Sequence, residues 1–409
     1  MMNQLLNNKN SICAKLNYIL ITILPVTLFI GSLISNLVVL LICIIFLLDL
    51  FLKKNFFLIK DFNFKFLLVI YIYLILNSLF VSYNPESLFK SVAFIRFFIL
   101  SYAIWYYFNF FKKDFVKFWF FIFLIVSFDI LFEFFVGQNI LGLSSVYDGR
   151  IASFSGDELK VGGFYFGFLF LSLAYINYKK KNLLIPFLVF FLITALLIGE
   201  RSNFLKVFIM YIFFFILFIE FSRLKKMMCI LGIILTSFII INNISHLKGK
   251  FYYHIFNTYE EKFENHKNLN YDFVVKNSQY LRHYNAALMI SKDNFLFGSG
   301  YKTFRFESYK EKYTKNGFFG ASTHPHQLHF ELLSEIGVIG YLLIISNLVF
   351  VLFRQTKFKK EFLTKSSILF LIATLVPLLP SGSFFTSYGA TIFFINYSFL
   401  IKLKNNNFN

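Results

Sequence analysis

Three imidazoles fall within six residues in the stretch Ser322-Thr323-His324-Pro325-His326-Gln327-Leu328-His329, which runs straight into a long apolar segment beginning near Leu328. Pro325 suits the first position of a helix, with Thr323 or His324 as its cap. His326 would then lie in the first turn, beside the positive end of the helix dipole. That field disfavours imidazolium, so His326 reads as a neutral ring able to take a proton near pH 7. The same field favours a bound anion. Two other readings compete. His324, His326 and His329 are spaced as three metal ligands, with Glu331 and Glu335 the only nearby carboxylates further along the helix. Alternatively, three imidazoles merely decorate the start of a helix at a membrane interface.

Arginine is the second rare type, at seven positions. Arg223 and Arg354 belong to lysine-rich clusters. Arg96, Arg150, Arg201, Arg282 and Arg305 all fall on the opposite side of the bilayer or just within its leaflet. Arg96 lies about two turns inside an apolar helix and Lys206 about one turn inside another, where a cation is costly unless it reaches the surface or meets a partner. Snorkelling is the plainer reading for each taken alone. Cations gathered away from the cytoplasm call for a partner, and arginine forks bind phosphate oxygens in pairs, so a diphosphate at the outer interface would satisfy them. Asp129 and Glu133, four apart, share one helix face and read as structural partners or as an acceptor contact. Asp157, Glu158 and Glu200 read as solvated or paired charges. The Gly-rich stretch 149–168 is not a phosphate loop, because no GxxxxGK[ST] is present.

The elements that must position these residues are membrane helices. The 409 residues are 58% hydrophobic and 15% charged, with a mean hydropathy of +0.67, whereas soluble proteins are about one quarter charged. The net charge of +19 is collected largely in short clusters between apolar runs and marks topology rather than nucleic-acid binding. Apolar runs predict about twelve spans, near 16–31, 33–52, 65–84, 90–111, 116–136, 161–178, 183–198, 203–221, 227–244, 328–353, 366–380 and 384–401. The first is followed at once by another and reads as a retained helix. Clusters at Lys53 to Lys65, Lys112 to Lys117, Lys179 to Lys181, Arg223 to Lys226 and Arg354 to Lys365 alternate with the turns near Ser32 and Ser381, the loops around Pro85, 137–160 and Gly199, and the long segment 245–327, which places both termini in the cytoplasm. The expected organisation is a membrane domain of about nine helices over 1–244, a helical periplasmic loop domain over 245–327 and about three membrane helices over 328–409. Within the loop, Val274, Leu281, Ala287, Leu288 and Ile290 fit a helix that Gly298 and Gly300 end. Cys13, Cys43 and Cys229 are too scattered for a disulfide framework or a thiolate metal site.

Three motifs resemble one known family. His326-Gln327 is followed by nine residues and then Gly337-Val338-Ile339-Gly340. Gly199-Glu200-Arg201-Ser202 opens a span after a short outward turn. Arg282 lies in Tyr280-Leu281-Arg282-His283-Tyr284-Asn285, followed by Asp293-Asn294-Phe295-Leu296-Phe297-Gly298-Ser299-Gly300-Tyr301. In this order they resemble the O-antigen ligase and O-antigen polymerase superfamily of polytopic envelope glycosyltransferases, most closely over 140–345. Gln327, where asparagine is commoner, and Glu200 before Arg201 depart from the pattern.

The resemblance implies an all-α, GT-C-like protein of the bacterial inner membrane. Such a protein moves a glycan from an undecaprenyl diphosphate carrier to an acceptor hydroxyl on the periplasmic face, with inversion and without metal, nucleotide or other cofactor. His326 becomes the base. Arg201 and Arg282 become the diphosphate-binding cations, to which the placement of Arg96 and Lys206 adds those two, and His324, His329, Arg150, Glu200 and Gln327 are further candidates. The expected partners are the carrier-linked donor, a lipid A core or other glycan acceptor, and membrane lipid, with no nucleic acid. Lipid A core makes the protein a ligase; a second carrier-linked repeat would make it a polymerase, and a protein hydroxyl an oligosaccharyltransferase. A secondary transporter or lipid-carrier flippase would show matching halves and midplane charges, and neither is visible.

Overall fold

Lipid offers the backbone no hydrogen bonds, so a chain this apolar must satisfy its own N–H and C=O groups along each span. It does so as helix: 79% of the described residues are helical, and none of them forms a strand. The structure, a computed structural model, describes residues 11–147, 149–156, 160–253, 278–314, 320–355 and 361–401. In chain order the longer helices are α1 (Ile12–Ile30), α2 (Ser32–Leu52), α3 (Phe62–Asn77), α4 (Pro85–Val136), α5 (Val161–Lys179), α6 (Leu184–Leu197), α7 (Arg201–Phe218), α8 (Arg223–Asn243), α9 (Gln279–Asp293), α10 (Leu328–Gln355), α11 (Phe362–Thr374) and α12 (Ser387–Ser398). Nine described segments are long and apolar enough to cross a bilayer. Two of them lie within α4, on either side of the non-helical Phe111. The chain is a polytopic, all-helical membrane protein.

Every expected span is occupied by helix, but three helices are short. α6 and α11 have 14 and 13 residues. α12 has 12, beginning at Ser387 rather than near 384. The helix expected to run to residue 380 stops at Thr374. Pro377 and Pro380 supply the reason, since each lacks an N–H and disfavours helix in the residue before it. Residues 375–386 are consequently irregular chain. In the loop segment, α9 and short turns at Phe304–Glu307 and Glu311–Thr314 are helical; Val274 lies outside the described residues.

Packing divides the chain into two compact units, Met1–Phe115 with Tyr271–Lys360 and Pro377–Asn409, and Val116–Asn270 with Glu361–Val376. In the first, α1 and α2 form a hairpin at Gly31. Phe94 on α4 is its aromatic hub, with ring centroids of Phe97, Phe98, Tyr301, Phe385 and Phe394 within 5.2–6.2 Å, where each such pair adds about 0.5–1.5 kcal/mol beyond burial. Asn63, Tyr102, Asn347 and Tyr397 are buried and bonded to one another, and Tyr102 also donates to Asp61. In the second unit α5 is buried along nearly its whole length, as expected of a helix apolar on all sides at the centre of a bundle. α8 exposes Leu224, Met228, Leu231 and Phe238, an apolar surface suited to lipid.

Candidate active site

The start of α10 organises the first unit's site. Its cap is Gln327: the Oε1 accepts the Phe330 N–H at 3.0 Å and the carbonyl accepts the Glu331 N–H at 3.0 Å. The helix therefore begins three residues later than Pro325 would set it, and His326 lies just before the first turn rather than in it. His326 has φ +58°, a conformation that costs a non-glycine residue roughly 1–3 kcal/mol. The Ser381 N–H, donating to the His326 carbonyl at 2.7 Å, holds it there. Lys302 and Leu378, around the same site, also have positive φ, at +57° and +63°. Three of the six positive-φ non-glycine residues among those described therefore lie around this site.

Three imidazoles meet here, and one of them is not in the cluster read from sequence. His324 and His326 have ring centroids 4.0 Å apart, and His283 of α9 stands 5.2 Å from His326. The His326 Nε2 is 3.3 Å from Ser322 Oγ, and Tyr280 meets its ring edge-on at 5.8 Å. His329 turns away to the Tyr341 hydroxyl, 3.2 Å from its Nδ1. Among the described residues no three His, Cys, Asp or Glu side chains are grouped to hold a metal ion. Burial holds the His326 ring down to about 4, with His283 adding to it. Burial likewise holds His324 at about 3, reinforced by His326, His283, Lys302 and Arg305. His283 is lowered mainly by burial. All three rings are therefore neutral at pH 7, set among the cations Arg282, Lys302 and Arg305.

The buried polar atoms without a hydrogen-bond partner among the described residues include Arg282 Nε, Arg305 Nε, His283 Nε2, His324 Nε2 and Ser381 Oγ. Buried donors and acceptors are normally paired, and this group offers both kinds to a polar, anionic ligand. Two carboxylates that sequence placed merely further along the helix turn out to build the surrounding loops. Glu331 accepts from the Ser383 hydroxyl and the Phe384 N–H, the latter at 2.8 Å. Glu335 accepts the Lys302 N–H at 3.0 Å and the Phe304 N–H at 3.3 Å. Lys302 Nζ donates to the Phe385 carbonyl at 3.0 Å. Arg96 donates to Ala93 O at 2.7 Å, Asn36 Oδ1 at 3.2 Å and Ser387 Oγ at 3.3 Å, so part of its fork is used within the bundle.

The glycine motifs form one joint. α10 breaks at Gly337, with φ +64°, where the turn at Gly298, with φ +70°, crosses it. The Val338 and Ile339 N–H groups donate to the Phe295 and Leu296 carbonyls at 3.0 and 3.2 Å. Tyr73 donates to the Ile336 carbonyl freed by the break, at 2.6 Å. Asn77 locks the turn from α3 by donating to Phe297 O and accepting the Tyr301 N–H, each at 2.7 Å.

The other predicted cations lie in the second unit. Arg201 is the first residue of α7, after Glu200 at the cap position. Glu200 packs against Gly162, hydrogen-bonds Asn203 and sits in the fields of Arg150 and Lys206; burial is the larger effect and pushes its carboxyl up. Lys206 is buried, 5.3 Å from the Phe166 ring. The departure at Glu200 is thus matched by local positive charge. Asp129 accepts the Ile140 N–H at 2.8 Å and the Ser153 hydroxyl at 2.5 Å, while Glu133 accepts the Ala152 and Ser153 N–H groups at 3.1 and 2.6 Å. This pair therefore clamps the 137–156 loop. Asp157 and Glu158 lie outside the described residues.

Fold and site together define a class: an all-helical, multi-pass membrane protein with imidazoles and guanidinium groups gathered at one end of a helix. Residues 186–345 match the family model described as O-antigen ligase, which shows the resemblance to the O-antigen ligase and polymerase superfamily. The matched stretch contains Arg201, Arg282, His326 and both halves of the glycine joint. It supports a membrane glycosyltransferase of ligase or polymerase type. No curated protein matches the chain.

Proposed function

We propose that this protein transfers a glycan from an undecaprenyl diphosphate carrier to an acceptor hydroxyl at the periplasmic face of the bacterial inner membrane, lipid A core being the acceptor. The observation that carries the reading is the neutral His326, grouped with His283 and His324, together with Arg282 Nε and Arg305 Nε buried without a hydrogen-bond partner among the described residues, all within the stretch that matches the ligase family. The acceptor hydroxyl gives its proton to His326 Nε2 and its oxygen bonds the anomeric carbon from the face opposite the carrier. The bond to the diphosphate oxygen breaks, its electron pair leaves with the carrier, and guanidinium groups stabilise the charge that develops. The donor's own phosphoester bond drives the transfer, so neither nucleotide nor metal is required.

Arg282 has this role in the first unit. Arg201 enters the proposal on the resemblance, and Lys206 and Arg96 enter it as cations set just inside their helices. Ligation is separable from its alternatives by glycan ladders in a deletion strain. Loss of long polysaccharide on lipid A while carrier-linked polymer accumulates supports ligation, single-repeat products support polymerisation, and an unchanged ladder contradicts both. Transfer by the purified protein should persist in EDTA.

A further inference from the structure

His283 follows Arg282 on α9, and only 5% of it is exposed. Its Nδ1 is 2.8 Å from the Gly320 carbonyl oxygen. A carbonyl accepts and cannot donate, so a neutral ring here carries its proton on Nδ1 and keeps a lone pair on Nε2. That Nε2 is buried without a partner among the described residues. The contact depends on a close approach: a Cβ at Gly320 would collide with the Arg282 carbonyl and lie 3.0 Å from Ala286 Cβ, so glycine is needed for this stretch to lie against α9. The His326 ring stands 5.2 Å away, tilted by 32°.

Resting on the reading of His326 as the base, we infer that His283 is its positioning residue, whose Nε2 lone pair accepts the Nδ1–H of His326 as His326 becomes imidazolium. This holds His326 in the tautomer whose Nε2 is free for the acceptor hydroxyl, the atom that Ser322 Oγ approaches at 3.3 Å. The balance is simple. The hydroxyl proton moves to His326 Nε2, the Nδ1 proton stays on His326 within the new hydrogen bond, and His283 neither gains nor loses a proton. His324 is the other imidazole in contact, but its Nδ1 faces the Thr323 hydroxyl, which both donates and accepts. Its tautomer is therefore open, and at 4.0 Å between centroids it lies over the face of His326 rather than at its edge. The groups facing His326 are His283 and Tyr280 from α9, His324 and Ser322 from its own loop and the Ser381 backbone before α12, with Arg282, Lys302 and Arg305 acting through the neighbouring imidazoles.

The test uses the purified full-length protein in nanodiscs, with an undecaprenyl diphosphate-linked glycan and lipid A core. An asparagine amide reaches the Nδ1 position and keeps the Gly320 contact, whereas a glutamine carbonyl reaches the Nε2 position. His283→Asn and His283→Phe should each lower kcat about 10- to 100-fold with donor KM little changed; His283→Gln should recover most of the rate. Turnover by His283→Asn equal to that of the parent, or no recovery by His283→Gln, would overturn the inference while leaving His326 as base. Histidine ¹⁵N spectra of the same protein should show His283 protonated at Nδ1, and an Nε2–H signal overturns it without reference to transfer. Absence of transfer by the parent to any acceptor would instead remove the functional reading.

Discussion

Gly298 and Gly337 meet backbone to backbone, and a Cβ on either would run into the other's chain. This contact joins the turn after α9 to the break in α10, so the helix that bears Arg282 and the helix that follows His326 share one fixed point. Gly298→Ala and Gly337→Ala face both the collision and a positive φ, and each should destabilise the protein by about 1–3 kcal/mol. Gly382, where a Cβ meets nothing within 4 Å, is the control. Thermal midpoints in detergent should fall for the first two and hold for Gly382→Ala; equal midpoints for all three would remove the joint's importance.

The imidazole group makes stability depend on pH. His326 is held at about 4 and His324 at about 3 in the fold, against about 6.5 in an unfolded chain. Between these values the unfolded chain binds protons that the folded one does not, so stability is greatest above about pH 6.5 and declines as pH falls toward 4 and then 3. The acid slope of the thermal midpoint should shrink in His324→Gln and His326→Gln. An unchanged slope in the double variant would place the acid sensitivity elsewhere.

Arg282→Lys keeps the charge but loses the planar fork, and so does Arg201→Lys. Each should cut transfer about 10- to 100-fold, the equivalent of one charge-assisted hydrogen bond of roughly 1.5–3 kcal/mol. Steady-state kinetics with the carrier-linked donor read this directly. Full activity of either lysine variant removes paired phosphate contacts from that position.

Glu133→Gln replaces one of two carboxylate acceptors by an N–H₂ that faces a backbone N–H. Leaving that donor unpaired should cost about 1–3 kcal/mol and loosen the loop clamped at Ala152 and Ser153. Limited proteolysis should cut the 137–156 loop faster in the variant. An identical digestion rate would show that Asp129 suffices.

What could be read from the residues was what depends on local pattern and on rarity. Hydropathy runs located the spans, because lipid enforces helix wherever a run is long enough. His326 and Arg282 stood out because their types are scarce in a chain so rich in Phe and Lys. What stayed hidden depends on partners distant in sequence. Glu331 and Glu335 read as spare carboxylates until the chain brought Phe384 and Lys302 to them, and Asp129 with Glu133 awaited the loop at Ser153. Arg96 likewise meets Asn36 and Ser387, 60 and 291 residues away. The helix cap was misplaced because Pro325 matches a helix start as well as Gln327 does, and only the Phe330 N–H decides between them. His283 gave one signal, its place beside Arg282, which acquires meaning only when Gly320 reaches it.

The most direct test of the account is single-turnover transfer by purified His326→Ala, with the parent protein alongside and the same defined carrier-linked glycan. The account predicts that the variant inserts, folds and still binds the donor while the rate of glycan release falls by at least about 100-fold. Transfer at the parent's rate would contradict it, since among the described residues no other imidazole in the site meets a hydroxyl through its Nε2.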